Sequence, residues 1–186
     1  RQIDDARVAA GVEPRAETQP AWAEQGATAE NAAEGGIFYH ASDDPLLEVR
    51  FGPGEKLHIG SQRAARERAG TPHAGRGPRE ESVIHEFQVT PKKPYHPPKA
   101  HSGEERPPGW LLDEREGGDR TLLAFIQNLP ARRAALLAEG YDVVPYINGI
   151  EAPGSLSYLI LDESAVVATG RTQRVRKVGD YQGGLL

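Results

Sequence analysis

The residue with the clearest potential for chemistry is Glu151, an acid in a turn between two apolar segments. The surrounding chain, residues 140–161, reads GYDVVPYINGIEAPGSLSYLIL. Residues 143–147 and 156–161 are predicted to be buried strands, and Asn148-Gly149 is a turn dipeptide. An acid that rigid strands hold within reach of a ligand is typical of a catalytic group. Such turns also carry acids only for solubility and backbone geometry, and the sequence leaves that alternative open.

A second candidate is His40, which ends the β-prone run Ile37-Phe38-Tyr39 and is followed by Ala41-Ser42. A histidine at a strand end, next to a small residue and a hydroxyl, can present its ring nitrogens to a ligand without crowding. The alternative is an ordinary polar residue that closes a strand.

A third segment, LHIGSQRAARERAG at residues 57–70, joins a short strand to an Ala- and Arg-rich helix. Ser61 stands where a helix N-cap is expected, and capping alone would account for it. His58 and Arg63 are further candidates for contact with a substrate.

These three segments together resemble the motifs of ADP-ribosyltransferases of the kind found in bacterial toxins and phage polyvalent proteins. FYHAS resembles the family's first strand, and LHIGS with its helix resembles the second motif. Tyr146-x-Asn148-x-x-Glu151, followed by Gly154-Ser155-x-Ser157-Tyr158, resembles the last motif. The chain departs from the pattern at Ala41 and Ser42, where the family prefers Gly and Thr.

The resemblance implies an α+β fold, a split β-sandwich with flanking helices that binds NAD as substrate in the cleft between two sheets. It implies that Glu151 is the catalytic acid. The residues implied to contact NAD or to position the glutamate are His40, Ala41, Ser61 and Tyr146. Tyr146 is preferred over Tyr158 as the pocket residue because Tyr158 lies within an apolar strand.

The function implied is a mono-ADP-ribosyltransferase that moves ADP-ribose from NAD to a macromolecular acceptor, as an effector or toxin domain. Protein is favoured over nucleic acid as the acceptor, and an immunity or inhibitor protein is a candidate partner. Two alternatives stay open: an NAD glycohydrolase with the same site, and a catalytically dead binding module with the same fold. A basic cluster from Arg171 to Lys177 also leaves a nucleic-acid-modifying variant open.

The amino-acid composition of the chain argues against several kinds of function. The chain has 186 residues, enough for one domain with a core, and its 21 Gly and 15 Pro predict long loops. A net charge of -5 argues against capture of nucleic acid by the whole surface. The absence of Cys excludes disulfides, zinc thiolate sites and cysteine nucleophiles, and no metal site is expected from His96 and His101 in their Pro-rich loop.

The chain also lacks Met and begins at Arg1, so we expect a piece of a longer polypeptide. No apolar run approaches the length of a membrane span. We therefore expect a soluble domain that acts in the cytoplasm of a target or host cell, after secretion or injection as part of a larger protein.

The domain organisation follows from these patterns. Residues 1–36 are predicted to be a linker with a helical strap, residues 37–170 the ADP-ribosyltransferase-like domain, and residues 171–186 a basic tail. Within the domain, residues 82–89 alternate as a strand, and residues 121–139 form a helix that Pro130 interrupts and Gly140 ends. Val166-Val167 is expected to begin an edge strand. Short strands without regular βαβ alternation favour α+β over a doubly wound sheet.

Overall fold

The computed structural model describes residues 26–42, 57–70, 81–97, 105–114 and 129–176. These residues form seven strands, three α-helices and a short 3-10 helix, so the predicted α+β class is confirmed. The strands are β1 (Gly36–Ser42), β2 (Leu57–Ile59), β3 (Glu81–Val89), β4 (Leu112–Asp113), β5 (Val143–Ile147), β6 (Leu156–Ile160) and β7 (Val166–Arg176). The helices are α1 (Ala29–Glu34), α2 (Gln62–Gly70) and α3 (Leu129–Ala138), and the 3-10 helix is Glu163–Ala165.

The strands form two sheets. The first has the order β1-β3-β7, and the second has the order β2-β6-β5-β4. Neighbours are antiparallel except β4 and β5, which are parallel. The strands predicted at residues 82–89, 143–147 and 156–161 are confirmed as β3, β5 and β6.

The main core lies between the two sheets. Phe38 and Phe87 come from the first sheet, and Ile59, Leu156 and Tyr158 come from the second. The rings of Phe38 and Tyr158 meet edge to face with centroids 4.8 Å apart. Such aromatic pairs add to the stabilisation that burial of their apolar area already provides.

The opposite face of each sheet packs against a helix. Ala65 and Ala69 of α2 pack on Tyr39 and Ile84 of the first sheet. On the second sheet, Leu136 of α3 belongs to a buried cluster with residues of β4, β5 and β6. Successive side chains of a strand point to opposite faces, so one strand contributes to two packing layers.

The predicted N-terminal boundary at residue 36 falls inside packed structure. Ala32 of α1 is fully buried in the core between the sheets, and the Tyr158 hydroxyl donates a hydrogen bond of 3.0 Å to its carbonyl oxygen. Helix α1 is therefore integral to the domain because it satisfies a buried tyrosine. Residues 1–25 of the predicted strap lie outside the described residues.

The predicted C-terminal boundary also needs correction. Val166-Val167 does begin a strand at the edge of a sheet, as expected, but that strand continues to Arg176 and pairs with β3 along its length. Val175 packs against the cluster formed with α2, which anchors the basic end of the strand. Residues 171–176 are part of a sheet rather than a tail, and residues 177–186 lie outside the described residues.

Helix α3 begins at Leu129, with Pro130 in its first turn. Proline is tolerated there because the first N–H groups of a helix have no partner within it. Gly140 ends the helix as predicted, with φ 85° and an N–H that reaches the Leu137 carbonyl at 2.9 Å. Residues 121–128, the first part of the predicted helix, lie outside the described residues.

A bridge joins β1 to β2 and so connects the two sheets. The Tyr39 N–H donates to the Gly60 carbonyl at 2.8 Å, and the Gly60 N–H donates back to Tyr39 at 2.9 Å. A Cβ at Gly60 would lie 2.7 Å from the Ser157 hydroxyl oxygen, well inside contact distance. Glycine is therefore required where the strand passes over Ser157.

In the part of the chain that the structure describes, no helix has the length and apolar character needed to cross a membrane.

The close approach of Ser157 to Gly60 predicts that adding a methyl group at Gly60 destabilises the fold. Gly60→Ala should lower the free energy of unfolding by about 1–3 kcal/mol, because the buried Ser157 cannot rotate away without losing its hydrogen bond to Asn148. In a Ser157→Ala background the same substitution should cost less, because the oxygen that it meets is gone. Urea unfolding of the four variants measures both values, and an equal cost in the two backgrounds would contradict the assignment.

Candidate functional site

A cleft of about 430 Å³ opens beside the bridge between β1 and β2, where the two strands continue into different sheets. Its walls come from β1, β2, α2, β5 and the turn after β5. Four of the residues that the sequence predicted for the site line this cleft: His40, Ala41, Tyr146 and Glu151. More than a hundred positions separate the first of these from the last, so the fold brings together what the sequence keeps apart.

His40 is held in one orientation by a backbone contact. Its Nδ1 lies 2.7 Å from the carbonyl oxygen of His58, so Nδ1 carries the proton and donates it. Burial lowers the pKa of His40, and the neighbouring His85 and Arg68 act in the same direction, which outweighs the opposing effect of the hydrogen bond to His58. The ring is therefore neutral near pH 7, and Nε2 is an acceptor suited to a hydroxyl group of a ligand.

Tyr146 lines the cleft, whereas Tyr158 is fully buried in the core and its hydroxyl donates a hydrogen bond to α1. The Tyr146 oxygen lies 3.2 Å from Nδ1 of His58, and the two rings meet edge to face. Burial raises the pKa of Tyr146, and the nearby carboxylate of Glu114 raises it further. The phenol therefore stays protonated. Of the two tyrosines considered for the pocket, Tyr146 is among the residues that line the cleft and Tyr158 is not.

Glu151 sits in a turn that hydrogen bonds close at both ends. The Asn148 N–H donates to the Ser155 carbonyl at 2.9 Å, and the Gly154 N–H donates to the Asn148 carbonyl at 2.8 Å. The Asn148 side chain also accepts from the Ile150 N–H at 3.0 Å. Asparagine is suited to such a turn because its side-chain oxygen reaches the backbone two residues ahead.

Two glutamates from other elements hold the middle of this turn. Glu114, just after β4, accepts from the Gly149 N–H at 2.7 Å. Glu67 of α2 accepts from the Ala152 N–H at 2.7 Å, and its other oxygen pairs with Arg63 at 2.8 Å. Ala152 has a φ of 49°, a strained value for a residue with a side chain, so external contacts are needed to keep it there.

The carboxylate of Glu151 pairs with Arg68 in the last turn of α2, with Nη1 and Oε1 3.2 Å apart. The Glu151 side chain is 17% exposed and that of Arg68 is 46% exposed. A pair this open to water contributes little to stability, so its charges can be redistributed when a ligand enters.

Ser61, also predicted to contact NAD or position the glutamate, is not among the residues that line the cleft. It is fully buried, and its hydroxyl accepts from the Ala64 N–H at 3.1 Å, the geometry of a helix N-cap. Of the two other residues proposed to meet substrate, His58 lines the cleft and Arg63 is not among the residues that do.

The cleft also contains residues that sequence reasoning missed. Arg68 and Glu114 line it, and so do Asn148 and Ser157. The i,i+4 spacing of Arg63 and Glu67 was visible in the sequence, but it indicates only a helical ion pair. No local pattern shows that Glu67 reaches a turn more than eighty positions away.

Among the described residues, no group of three or more His, Asp or Glu side chains could hold a metal ion. His101, one of the two histidines considered for such a site, lies outside the described residues.

Comparison of the chain with protein-family models, with curated proteins and with solved structures finds no match. The interpretation of the cleft therefore depends on its own geometry and on the motif resemblance.

The contact between Glu67 and the Ala152 N–H predicts how the turn responds to substitution. Glu67→Ala removes the acceptor, so hydrogen exchange at the Ala152 amide should accelerate by about fivefold. Glu67→Gln keeps an acceptor oxygen and should accelerate it less. Exchange followed by NMR measures both, and identical rates in the wild type and Glu67→Ala would contradict the contact.

The same contact predicts a pH dependence. The Ala152 N–H, and then Arg63, hold the pKa of Glu67 below its ordinary value. The stabilisation from the charged form is therefore present above about pH 4.3, the ordinary glutamate value, and is lost as the pH falls through the lower folded value. Because Gln does not titrate, the Glu67→Gln variant should lack this component.

Proposed function

We propose that this chain is an NAD-dependent mono-ADP-ribosyltransferase with Glu151 as its catalytic acid. One observation carries the proposal: His40, Tyr146 and Glu151, from distant motifs, line a single cleft. Its volume of about 430 Å³ is in the range of sites for small molecules and cofactors.

The arrangement of the strands supports the finer fold assignment that we propose, a split β-sandwich of the ADP-ribosyltransferase type. Two sheets share a core, and the cleft lies where β1 and β2 separate. His40 is on β1, α2 follows β2, and Glu151 follows β5, which is the order of elements that the motif resemblance implies.

The chemistry requires a carboxylate near the nicotinamide ribose. When the bond from the ribose C1′ to nicotinamide breaks, its electron pair leaves with nicotinamide, which departs neutral, and the sugar becomes positively charged. Glu151 would stabilise that developing charge electrostatically. The acceptor then bonds to C1′ and loses a proton. His40 would accept a hydrogen bond from a ribose hydroxyl, and Tyr146 would offer its protonated hydroxyl and ring to the nicotinamide end.

A second candidate, the catalytically inactive binding module, is favoured by one contact. The Arg68 guanidinium already compensates the Glu151 carboxylate across 3.2 Å, and a compensated carboxylate stabilises a cation less well. The departure from the family pattern at Ala41 and Ser42, both of which line the cleft, favours the same alternative.

Substitution of the acid separates the two candidates. Glu151→Gln keeps the size of the side chain and removes its charge, so nicotinamide release from NAD should fall by about 10²- to 10³-fold. The thermal midpoint should stay within a few degrees, because the ion pair that is lost is solvent-exposed. Chromatographic measurement of nicotinamide checks the rate, and calorimetric unfolding checks the midpoint.

The matched control is Glu163→Gln, which removes an exposed acid in the 3-10 helix and should leave turnover unchanged. Unchanged turnover in Glu151→Gln would contradict the assignment. No turnover in the wild type, together with tight binding of a co-purified partner, would support the binding module. Release of nicotinamide without label on any macromolecule would identify a glycohydrolase.

A further inference from the structure

We propose that Arg68 is the residue that binds the pyrophosphate of NAD, and that it leaves Glu151 to do so. This rests on the proposed function, because it assigns a phosphate subsite to the same cleft. Ligand binding and exposure of the catalytic charge would then be one event.

The charges that line the cleft point to Arg68. The described lining residues include two carboxylates, Glu114 and Glu151, and Arg68 is the one arginine or lysine among them. NAD brings two negatively charged phosphates into this acidic setting. A guanidinium is the side chain best suited to offer paired N–H donors to phosphate oxygens.

The geometry places Arg68 at the correct end of the ligand. Its Nη1 lies 3.2 Å from Oε1 of Glu151, so the guanidinium is adjacent to the carboxylate proposed to act on the nicotinamide ribose. That ribose carries both the reacting C1′ and the 5′-phosphate that begins the pyrophosphate. If that ribose lies against Glu151, a side chain that contacts Glu151 would also lie near the phosphate.

Breaking the ion pair between Arg68 and Glu151 costs little free energy because the pair is open to solvent, with the Arg68 side chain 46% exposed. Glu151 does not depend on it for position, because Glu67 and Glu114 already hold its turn through the backbone at Ala152 and Gly149. Movement of the guanidinium would thus leave the Glu151 carboxylate uncompensated without releasing the turn. Without NAD, the same ion pair keeps the carboxylate compensated.

The test uses binding of ADP-ribose by calorimetry, because ADP-ribose has the pyrophosphate but no bond to cleave. Arg68→Gln should weaken its affinity by about 10- to 100-fold, the effect of losing a hydrogen bond to a charged group, and Arg68→Lys should weaken it less. The matched control is Arg66→Gln, on the exposed side of α2 and in contact with Gln173 rather than the cleft. It should bind as the wild type does.

The exchange itself is tested by a double-mutant cycle. Glu151→Gln removes the carboxylate that competes with phosphate for Arg68. This variant should therefore bind ADP-ribose more tightly than the wild type does. That gain should disappear when Arg68→Gln is also present. A gain of equal size in both backgrounds would overturn the exchange, and an unchanged affinity in Arg68→Gln alone would overturn the phosphate subsite.

These outcomes separate the subsite from the proposed function. If the wild type shows the expected ADP-ribose pattern but releases no nicotinamide from NAD, the subsite stands and the transferase assignment fails. If NAD is cleaved while Arg68→Gln binds ADP-ribose normally, the assignment stands and the subsite fails.

Discussion

The pair of hydrogen bonds between Tyr39 and Gly60 is the constraint on which the rest of the structure depends. It ties the first sheet to the second beside the cleft, so the shared core can form on one side while the cleft opens on the other. The bridge requires glycine because Ser157 lies directly against it. Ser157 in turn contacts Asn148, so the same close packing reaches the turn that carries Glu151.

That turn is held by hydrogen bonds within itself and by contacts with neighbouring elements. Its own hydrogen bonds close it, and Glu114 and Glu67 attach it to β4 and α2. The backbone strain at Ala152 is maintained by these contacts. A fixed acid is what the proposed chemistry needs, since charge stabilisation is most effective when the charge is already in place before the reaction begins.

The sequence predicted the features that depend on local patterns. Alternating and continuous apolar runs identified β3, β5 and β6, and a helix-ending glycine identified the end of α3. Features that depend on distant contacts were missed, including the role of Glu67 and the presence of Arg68 in the cleft. For Ser61, the local sequence was compatible both with a helix N-cap and with a ligand contact. The structure shows the N-cap hydrogen bond from the Ala64 N–H. The basic end of β7 was taken for a tail because its arginines hide the single apolar anchor at Val175.

The proposed function requires that the cleft beside the sheet bridge binds NAD with its nicotinamide ribose against Glu151. The most direct measurement is a crystal structure with an NAD analogue whose nicotinamide–ribose bond cannot be cleaved. We expect the nicotinamide ribose to lie between His40 and Glu151, with a ribose hydroxyl within hydrogen-bond distance of Nε2 of His40. An analogue bound elsewhere on the protein, or bound in the cleft with its adenine end against Glu151, would contradict it.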